Sequence, residues 1–162
     1  MTDADLPARS RVVQDCLRAA GLDSTIRELP DSTRTAADAA SALGCDVGAI
    51  ARSLVFLADD SPLLVMTSGA HRVDTDVVAR HLGVQTVKQA SAKQVRVVTG
   101  QPVGGVAPVG HPQPIRTLID ADLQAHATLW VAGGTPNTVL PLSFDQLVRL
   151  TGGQVVTVTP GQ

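Results

Sequence analysis

The sequence is poor in aromatic residues and in lysine, and it contains no block of like charges. Its aromatic residues are Phe56, Phe144 and Trp130, and its formal net charge is −2. So few aromatic side chains cannot form a platform on which successive nucleobases stack. A weakly negative chain also lacks the broad positive field that attracts proteins to DNA. We therefore expect no DNA partner, and any contact with nucleic acid must come from a local group of arginines.

Cysteine is equally scarce, and nothing in the sequence indicates a metal, a cofactor or a membrane segment. Cys16 lies on the apolar side of a predicted helix and Cys45 follows the end of another, so both are expected to be buried thiols. The histidines lack the spacing to either cysteine that a zinc site requires. No hydrophobic run is long enough to span a membrane, and the polar N-terminus is unlike a leader sequence. We therefore expect a cytoplasmic protein that needs no metal or cofactor.

The remaining composition predicts a single α/β domain over residues 1–162. The hydrophobic content of 44% comes mostly from Val, Leu, Ile and Ala, which suffice for a core at this length. The predicted helices cover residues 10–20, 36–43, 75–82, 92–98 and 144–151. The predicted strands cover residues 24–29, 51–58, 63–67, 85–87, 115–119, 128–132, 139–142 and 155–158. The interspersed order, without a repeated βαβ unit, predicts a mixed, largely antiparallel sheet, open or closed into a barrel, with surrounding helices.

Each predicted helix begins after a residue whose side chain can cap it. Single caps are predicted at Ser10 and Asp74, and a polar turn is predicted over residues 31–34. Capping boxes are predicted at Thr35 with Asp38, Ser91 with Gln94, and Ser143 with Gln146. The predicted buried sides include His81 on the third helix and the small residues Ala36, Ala39 and Ala40 on the second. These alanines either limit a substrate pocket or allow close packing of the core.

The stretch TGQPVGGVAPVG, residues 99–110, is the strongest candidate for a functional loop. Gly104 and Gly105 can adopt backbone angles that other residues avoid, and they allow close approach to the main chain. Pro102 and Pro108 stiffen the segment and remove two N–H donors. Such a loop is typical of a pocket wall that offers backbone N–H groups to a ligand. The alternative is a tight connection between two elements.

Other candidates are one cation, a second glycine turn and two histidines. Arg52 begins an otherwise apolar strand, so its side chain faces either solvent or a pocket. Gly133, Gly134 and Thr135 offer further backbone donors, and His71 and His111 lie in loops that contain glycine. His126 is expected in a loop without a role. This set suits a site that holds a substrate and polarises it, with water or the substrate itself as nucleophile.

Five stretches occur together and in order, and they carry a resemblance to a known family. The stretches are STRTAADAASALG (residues 32–44), IARSLVF (50–56), TSGAHRVD (67–74), TGQPVGGVAPVG (99–110) and LWVAGGTPN (129–137). Together they resemble the YbaK-type aminoacyl-tRNA deacylases, which are relatives of the editing domain inserted in bacterial prolyl-tRNA synthetases. The resemblance extends from about residue 11 to residue 158.

The resemblance implies roles for particular residues. The glycine-x-x-x-proline motif of the family matches Gly104, Gly105, Val106, Ala107 and Pro108, whose backbone would hold the ester carbonyl and the terminal adenosine. The family usually has a lysine where this chain has Arg52, followed here by Ser53. The catalytic residues implied are therefore Arg52 and residues 104–108. The substrate-binding residues implied are Ser53, His71, Arg72, Thr99, Gly100, Gly133, Gly134 and Thr135.

The resemblance also implies a function, which is hydrolysis of mischarged aminoacyl-tRNA. The implied substrate is tRNA(Pro) that carries a small non-cognate amino acid, and the implied partners are that tRNA and prolyl-tRNA synthetase. Arg52 is the main departure from the family pattern, because a guanidinium is bulkier than an ammonium and never donates its proton at neutral pH. It leaves open a second interpretation, a weakly catalytic or inactive binder of the tRNA 3′ end or of a small ligand. A regulator that engages a synthetase is the third.

Overall fold

The computed structural model describes residues 6–30 and 35–160, which form an α/β fold. The described helices are α1 (Ala8–Ala19), α2 (Ala36–Leu43), α3 (Thr75–Leu82), α4 (Ala92–Thr99) and α5 (Phe144–Thr151). The described strands are β1 (Arg27–Glu28), β2 (Ala51–Ala58), β3 (Ser61–Ser68), β4 (Val87–Gln89), β5 (Arg116–Asp120), β6 (Leu129–Ala132), β7 (Thr138–Leu142) and β8 (Gln154–Val156). Short 3₁₀ segments occupy Val47–Ala49 and Ala121–Ala125.

The larger of two sheets has the strand order β4-β2-β3-β5-β8. Strands β2 and β3 form an antiparallel hairpin in which Arg52 lies opposite Thr67. The tight turn between them places Asp59 and Asp60 at positive φ, a conformation that aspartate tolerates better than most residues. Strand β4 is antiparallel to β2, whereas β5 and β8 join in parallel. The prediction of a mixed, mostly antiparallel arrangement is confirmed.

The smaller sheet has the order β1-β7-β6, and it does not close with the larger sheet into a barrel within the described residues. A single parallel bridge between Ile50 and Trp130 links the two sheets. Side chains from both sheets meet in one core, which includes Val55, Met66 and Leu140. The barrel alternative is therefore wrong, because no ladder joins the two sheets among the described residues and only the isolated bridge from Ile50 to Trp130 connects them.

The predicted caps hold for four helices. Thr35 accepts a hydrogen bond from the N–H of Asp38, and Asp74 accepts from the first turn of α3. Ser91 and Ser143 each form a complete capping box with the glutamine three residues later. These contacts are local in sequence, which is why the pattern of residues located them.

The cap predicted for α1 is wrong. This helix begins at Ala8 after Pro7, whose fixed φ and missing N–H suit a helix start. Ser10 is instead fully buried, with its hydroxyl 3.3 Å from that of Thr138. The predicted turn over residues 31–34 lies outside the described residues.

The remaining differences concern burial and the bounds of strands. The strand predicted over residues 24–29 forms only at Arg27–Glu28, and that predicted over 155–158 runs over Gln154–Val156. His81 is exposed, and Ala79 takes the buried side of α3 in its place. Cys16 and Cys45 are half-buried rather than buried, and desolvation, with a smaller contribution from Asp46, raises the pKa of the Cys45 thiol.

Strand β4 begins two residues later than predicted because the preceding residues bond to a side chain. The N–H groups of Gln85 and Thr86 donate to the carboxylate of Asp59, at 3.1 and 2.8 Å. These bonds, led by that of Thr86, lower the pKa of Asp59. The ladder with β2 can therefore start only at Val87.

The helices are short. Helix α1, the longest in the described part of the chain, has 12 residues, and no described helix combines the length and the apolar character needed to cross a membrane.

Candidate active site

A cleft of about 760 Å³ opens where the two sheets approach each other. Its walls come from α2, the start of β2, the loop before β5, and strands β6 and β7. Most of the side chains along it are small and apolar, among them Ala36, Ala39, Ala51, Ala90 and Ala132. The volume lies in the range of small-molecule pockets, and the lining leaves room for a ligand rather than filling the space.

Arg52 carries the only formal charge among the described residues that line this cleft. Its side chain is exposed, and it makes no hydrogen bond or ion pair with the described part of the chain. The sequence left open whether the Arg52 side chain faces solvent or a pocket. It does both, since Arg52 lines the cleft and is exposed. The adjacent Ser53 lines the cleft as well, and its hydroxyl lies 3.1 Å from the sulfur of Met66.

The loop Thr99–Gly110, called the glycine loop below, forms one wall through Val103, Gly104 and Val106. Its turn is closed by a hydrogen bond from the N–H of Gly105 to the carbonyl of Pro102, at 2.9 Å. Gly104 has a φ of 84°, and a Cβ added to it would meet no atom within 4 Å. Glycine is required at this position by the backbone angle, and its open side faces free space.

Gly105 is required for a different reason. A Cβ at this position would lie 2.4 Å from the carbonyl carbon of Thr135, in the turn that connects β6 and β7. The paired glycines were predicted to allow close approach to the main chain. At Gly105, the group that approaches is the backbone of Thr135 in the same chain. This contact supports the glycine loop from behind.

The backbone amides of the glycine loop fall into two groups. Those of Gly105 and Ala107 donate to Pro102 and to the side chain of Gln101. Those of Gly104 and Val106 have no acceptor among residues 6–30 and 35–160. Gly104 and Val106 also line the cleft, so both unengaged N–H groups belong to residues of its wall. Ala107 and Pro108 are buried behind the wall.

The second glycine turn lies behind the glycine loop, and its residues 133–135 do not line the cleft. The N–H of Gly133 donates to the carbonyl of Thr138 at 2.8 Å, and that of Thr135 donates to the Thr138 hydroxyl at 3.2 Å. These two amides are therefore engaged within the turn. Gly134 adopts a φ of 105° and packs toward the backbone of Arg9. The neighbouring Pro136 and Thr138 contribute to the cleft instead.

Thr99 and Gly100 end helix α4 and also lie outside the cleft lining. The buried Thr99 hydroxyl contacts the carbonyls of Val95 and Gln101, at 2.7 and 3.0 Å. Gly100 takes the left-handed conformation with a φ of 73°. Both residues thus fix the point from which the glycine loop departs.

His71 and Arg72 follow the end of β3, and His71 there belongs to a separate polar group. The two ring nitrogens of His71 lie 3.0 Å from Asp120 and 3.3 Å from Asp122. Their potential ligand atoms lie within 4.8 Å of one another. The buried Asp120 also accepts from the N–H groups of Ser68 and Asp122. We call His71, Asp120 and Asp122 the His71 group; neither it nor the exposed Arg72 lines the cleft.

Sequence reasoning missed the His71 group because the histidines were compared only with the cysteines. It also missed Trp130, which lines the cleft and carries the Arg27 guanidinium 4.9 Å from its ring centroid. For the His71 group, the signal available in the sequence was the presence of two nearby aspartates, Asp120 and Asp122, at the end of β5. For Trp130, the signal was the single tryptophan in a predicted strand.

His111 and His126 take supporting positions. The Nε2 of His111 lies 2.8 Å from the Ala107 carbonyl, and burial lowers the pKa of this ring. A carbonyl only accepts, so Nε2 carries the proton. His126 packs over Gly48, where an added Cβ would lie 2.9 Å from its Nε2.

Comparison with known proteins adds to this geometry. The sequence pattern of the aminoacyl-tRNA editing domain matches residues 30–150. The chain belongs to the aminoacyl-tRNA editing domain family. Within the family, the chain is similar to a protein whose crystal structure is described as that of a candidate trans-editing enzyme for prolyl-tRNA synthetase. The two share 39% identity and a TM-score of 0.92, over 97% of this chain and 100% of the other.

Two further relatives place the editing domain in different contexts. YwhH of Bacillus subtilis is 25% identical over 134 residues, which cover 82% of this chain and 85% of YwhH. The proline–tRNA ligase of Streptococcus sanguinis is 30% identical over 91 residues, or 56% of this chain. That match covers only 15% of the ligase. The family and the trans-editing relative support an aminoacyl-tRNA deacylase, whereas the ligase match concerns a small part of a larger protein.

Proposed function

We propose that this protein removes a small non-cognate amino acid from mischarged tRNA(Pro), acting as a separate editing enzyme. The observation that carries the proposal is the meeting of three features at one cleft. These are the unpaired cation of Arg52, the two unengaged amides of Gly104 and Val106, and walls of small apolar side chains. The trans-editing relative and the proline–tRNA ligases support the choice of tRNA(Pro).

The reaction is hydrolysis of the ester that joins the amino acid to the terminal ribose. A water molecule, oriented by the neighbouring ribose hydroxyl, attacks the carbonyl carbon. In a cysteinyl ester, the thiol of the substrate can attack in its place, which releases the ribose and forms a thiolactone that water then opens to free cysteine. The carbonyl oxygen gains negative charge as the bond forms, and the C–O bond to the ribose then breaks, with a proton passing to the leaving oxygen. No protein side chain acts as nucleophile.

The amides of Gly104 and Val106 would stabilise the negative charge that develops on the carbonyl oxygen. Donors aimed at a developing oxyanion contribute much to the catalysis of acyl transfer. Arg52 would add a permanent positive charge, directed to the carbonyl oxygen or to the phosphate of the terminal nucleotide. Ser53 lies beside it in the same wall.

The size of the amino acid would be limited by the alanines of α2 and β2. Ala36 and Ala39 line the cleft, and Ala39 also belongs with Ala40 to the buried cluster behind it. Of the two interpretations of these alanines, pocket wall therefore applies to Ala36 and Ala39, and core packing applies to Ala39 and Ala40. Side chains of this size leave space for alanine or cysteine and provide no charged partner for a larger polar amino acid.

The proposed partners follow from this chemistry. The substrate is the aminoacyl end of tRNA(Pro), and prolyl-tRNA synthetase is the enzyme that would supply the mischarged product. Both act in translation, so we expect the protein to work in the cytoplasm. Phosphate contacts from a few arginines, Arg52 and Arg72 among them, should make tRNA binding fall as the salt concentration rises.

The test is a deacylation screen with purified protein. tRNA(Pro) charged with alanine, cysteine, serine, threonine or proline is incubated with the protein, and release of the amino acid is followed over several turnovers. Other tRNAs charged with the same amino acids are the control. We expect catalytic release of a small non-cognate amino acid and sparing of prolyl-tRNA(Pro). Protection of every ester, with no release above the spontaneous rate, would instead identify a binding protein.

A further inference from the structure

Gln101 occupies the base of the glycine loop, and its side chain joins the two ends of that loop. The residue is only 2% exposed. Its Oε1 accepts a hydrogen bond from the N–H of Ala107 at 2.7 Å, and its Nε2 donates to the carbonyl of Val109 at 3.1 Å. Its own N–H donates to the Thr99 hydroxyl at 3.0 Å. Gln101 is therefore fixed at its backbone and at both ends of its carboxamide.

The chemistry of the carboxamide matches what the loop requires. One loop atom needs an acceptor and another needs a donor, and a glutamine side chain presents one of each in a single plane. Glutamate would place a second acceptor against the Val109 carbonyl. Methionine has a similar length but would leave the Ala107 N–H without a partner. Buried groups that lose a partner destabilise the conformation that contains them.

A second side chain acts on the same point of the loop. The His111 ring donates to the carbonyl of Ala107, so both the N–H and the carbonyl of that residue are held by side chains. On the opposite side, Gly105 lies against Thr135. Val106 is thus flanked by two residues whose backbones are fixed. The orientation of its free N–H follows from these constraints.

We propose that Gln101 is a positioning residue for deacylation, which holds the glycine loop so that the N–H groups of Gly104 and Val106 face the ester carbonyl of the substrate. The inference rests on the proposed function. It extends that function from the residues that contact the substrate to one that acts through them. Gln101 itself does not line the cleft.

A positioning role predicts a specific kinetic signature. The N–H donors interact most strongly with the carbonyl oxygen once it carries negative charge, which happens only in the transition state. Arg52 and the alanines of α2 that line the cleft make no hydrogen bond with Gln101. Its loss should therefore reduce kcat much more than it raises KM for the charged tRNA.

The chain offers a matched control for this experiment in Gln14, another buried glutamine. Its Nε2 donates to the carbonyl of Ser24 at 3.0 Å, and its Oε1 accepts from the N–H of Ile26 at 3.3 Å. Its exposure is 4%. It makes the same two kinds of contact as Gln101, but it joins α1 to the segment before β1 and lies outside the cleft lining.

The experiment compares Gln101→Met with Gln14→Met in the full chain. Both variants should lose comparable thermal stability. We expect Gln101→Met to lower kcat roughly 10- to 100-fold, the effect of a small misplacement of catalytic groups, with KM little changed. Gln14→Met should keep kcat close to the wild-type value. Equal losses of kcat in the two folded variants, or a loss in Gln101→Met confined to KM, would overturn the proposal.

Hydrogen exchange provides a readout that does not depend on activity. Gln101→Met should accelerate amide exchange in residues 103–107, whereas Gln14→Met should not. Unchanged exchange in that segment would overturn the positioning role even in an active enzyme. A wild-type protein that releases no amino acid from any charged tRNA would refute the proposed function and the catalytic part of this inference. In that case the exchange rates would still decide whether Gln101 holds the loop.

Discussion

The cleft and the His71 group differ in what their polar atoms contact. In the cleft, the Arg52 guanidinium and the amides of Gly104 and Val106 have no partner in the described part of the chain. In the His71 group, both ring nitrogens and both oxygens of Asp120 are engaged. Arg52 and Gly104 are exposed, whereas Val106 is buried, and a buried N–H without a protein acceptor is uncommon. We take these unengaged donors beside the cavity as the mark of a binding site. Polar atoms that already contact one another indicate structural support.

The two regions are nevertheless connected. Thr67 lies opposite Arg52 in the β2–β3 ladder, and its hydroxyl is 3.3 Å from a carboxylate oxygen of Asp120. The His71 group therefore stabilises the strand that pairs with the cationic side of the cleft. Substitutions in the two regions should give different results, with loss of catalysis in one and loss of stability in the other.

The largest expected effect is that of Arg52→Ala on catalysis. Removal of one well-placed electrostatic contact typically lowers the rate about 100- to 1000-fold. We expect a decrease of that size in kcat/KM for the mischarged tRNA, with an unchanged melting temperature, because the exposed side chain contributes little to the core. Unchanged deacylation would remove Arg52 from the mechanism and leave the glycine loop as the supported part of the site.

Arg52→Lys provides the matched variant at the same position. The resemblance to a family that usually carries lysine there leads us to expect that this variant retains activity or exceeds the wild-type rate. A loss as large as that in Arg52→Ala would show instead that the cleft depends on the two-pronged geometry of the guanidinium.

Asp120→Ala should have its main effect on stability. It leaves the buried N–H of Ser68 and the Thr67 hydroxyl without their acceptor, which costs about 1–3 kcal/mol for a buried group. Urea unfolding measures this loss. The folded variant should lose less kcat/KM than Arg52→Ala. If Asp120→Ala abolished deacylation while the free energy of unfolding stayed the same, the His71 group would have to be part of the active site.

A smaller effect is expected from pH, through His111 beneath the glycine loop. Burial lowers the pKa of this ring in the folded protein below its ordinary value of about 6.5. The unfolded chain then binds the proton more readily, so the stability contributed by the neutral ring is present above about pH 6.5 and is lost as the pH falls through the folded pKa. His111→Gln should flatten the decline in unfolding free energy measured toward acidic pH. An equally steep decline in that variant would assign it to other groups.

The parts of the fold that sequence could predict are those set by neighbouring residues. Thr35, Asp74, Ser91 and Ser143 mark helix starts because each side chain bonds to an amide two or three residues later. The separation into two sheets depends instead on the pairing of Arg27 with Val139, more than a hundred residues away in sequence. No local pattern carries that information.

The same distinction holds in the site. The glycine loop and Arg52 were identified because glycine pairs and an isolated cation are visible in a short stretch of sequence. The sequence alone does not show why position 105 requires glycine, because the atom that excludes a side chain there belongs to Thr135. Gln101 escaped notice because its bonds form only after the loop has folded back upon it.

The central claim is that the aminoacyl end of the substrate enters the cleft and contacts the free amides of the glycine loop. The most direct measurement is an NMR titration of ¹⁵N-labelled protein with an unreactive analogue, adenosine that carries alanine through a 3′ amide. The account predicts that the backbone signals of Gly104 and Val106 shift, together with the Trp130 indole signal. Shifts centred on His71, Arg72 and Asp122, with the glycine loop unaffected, would contradict it.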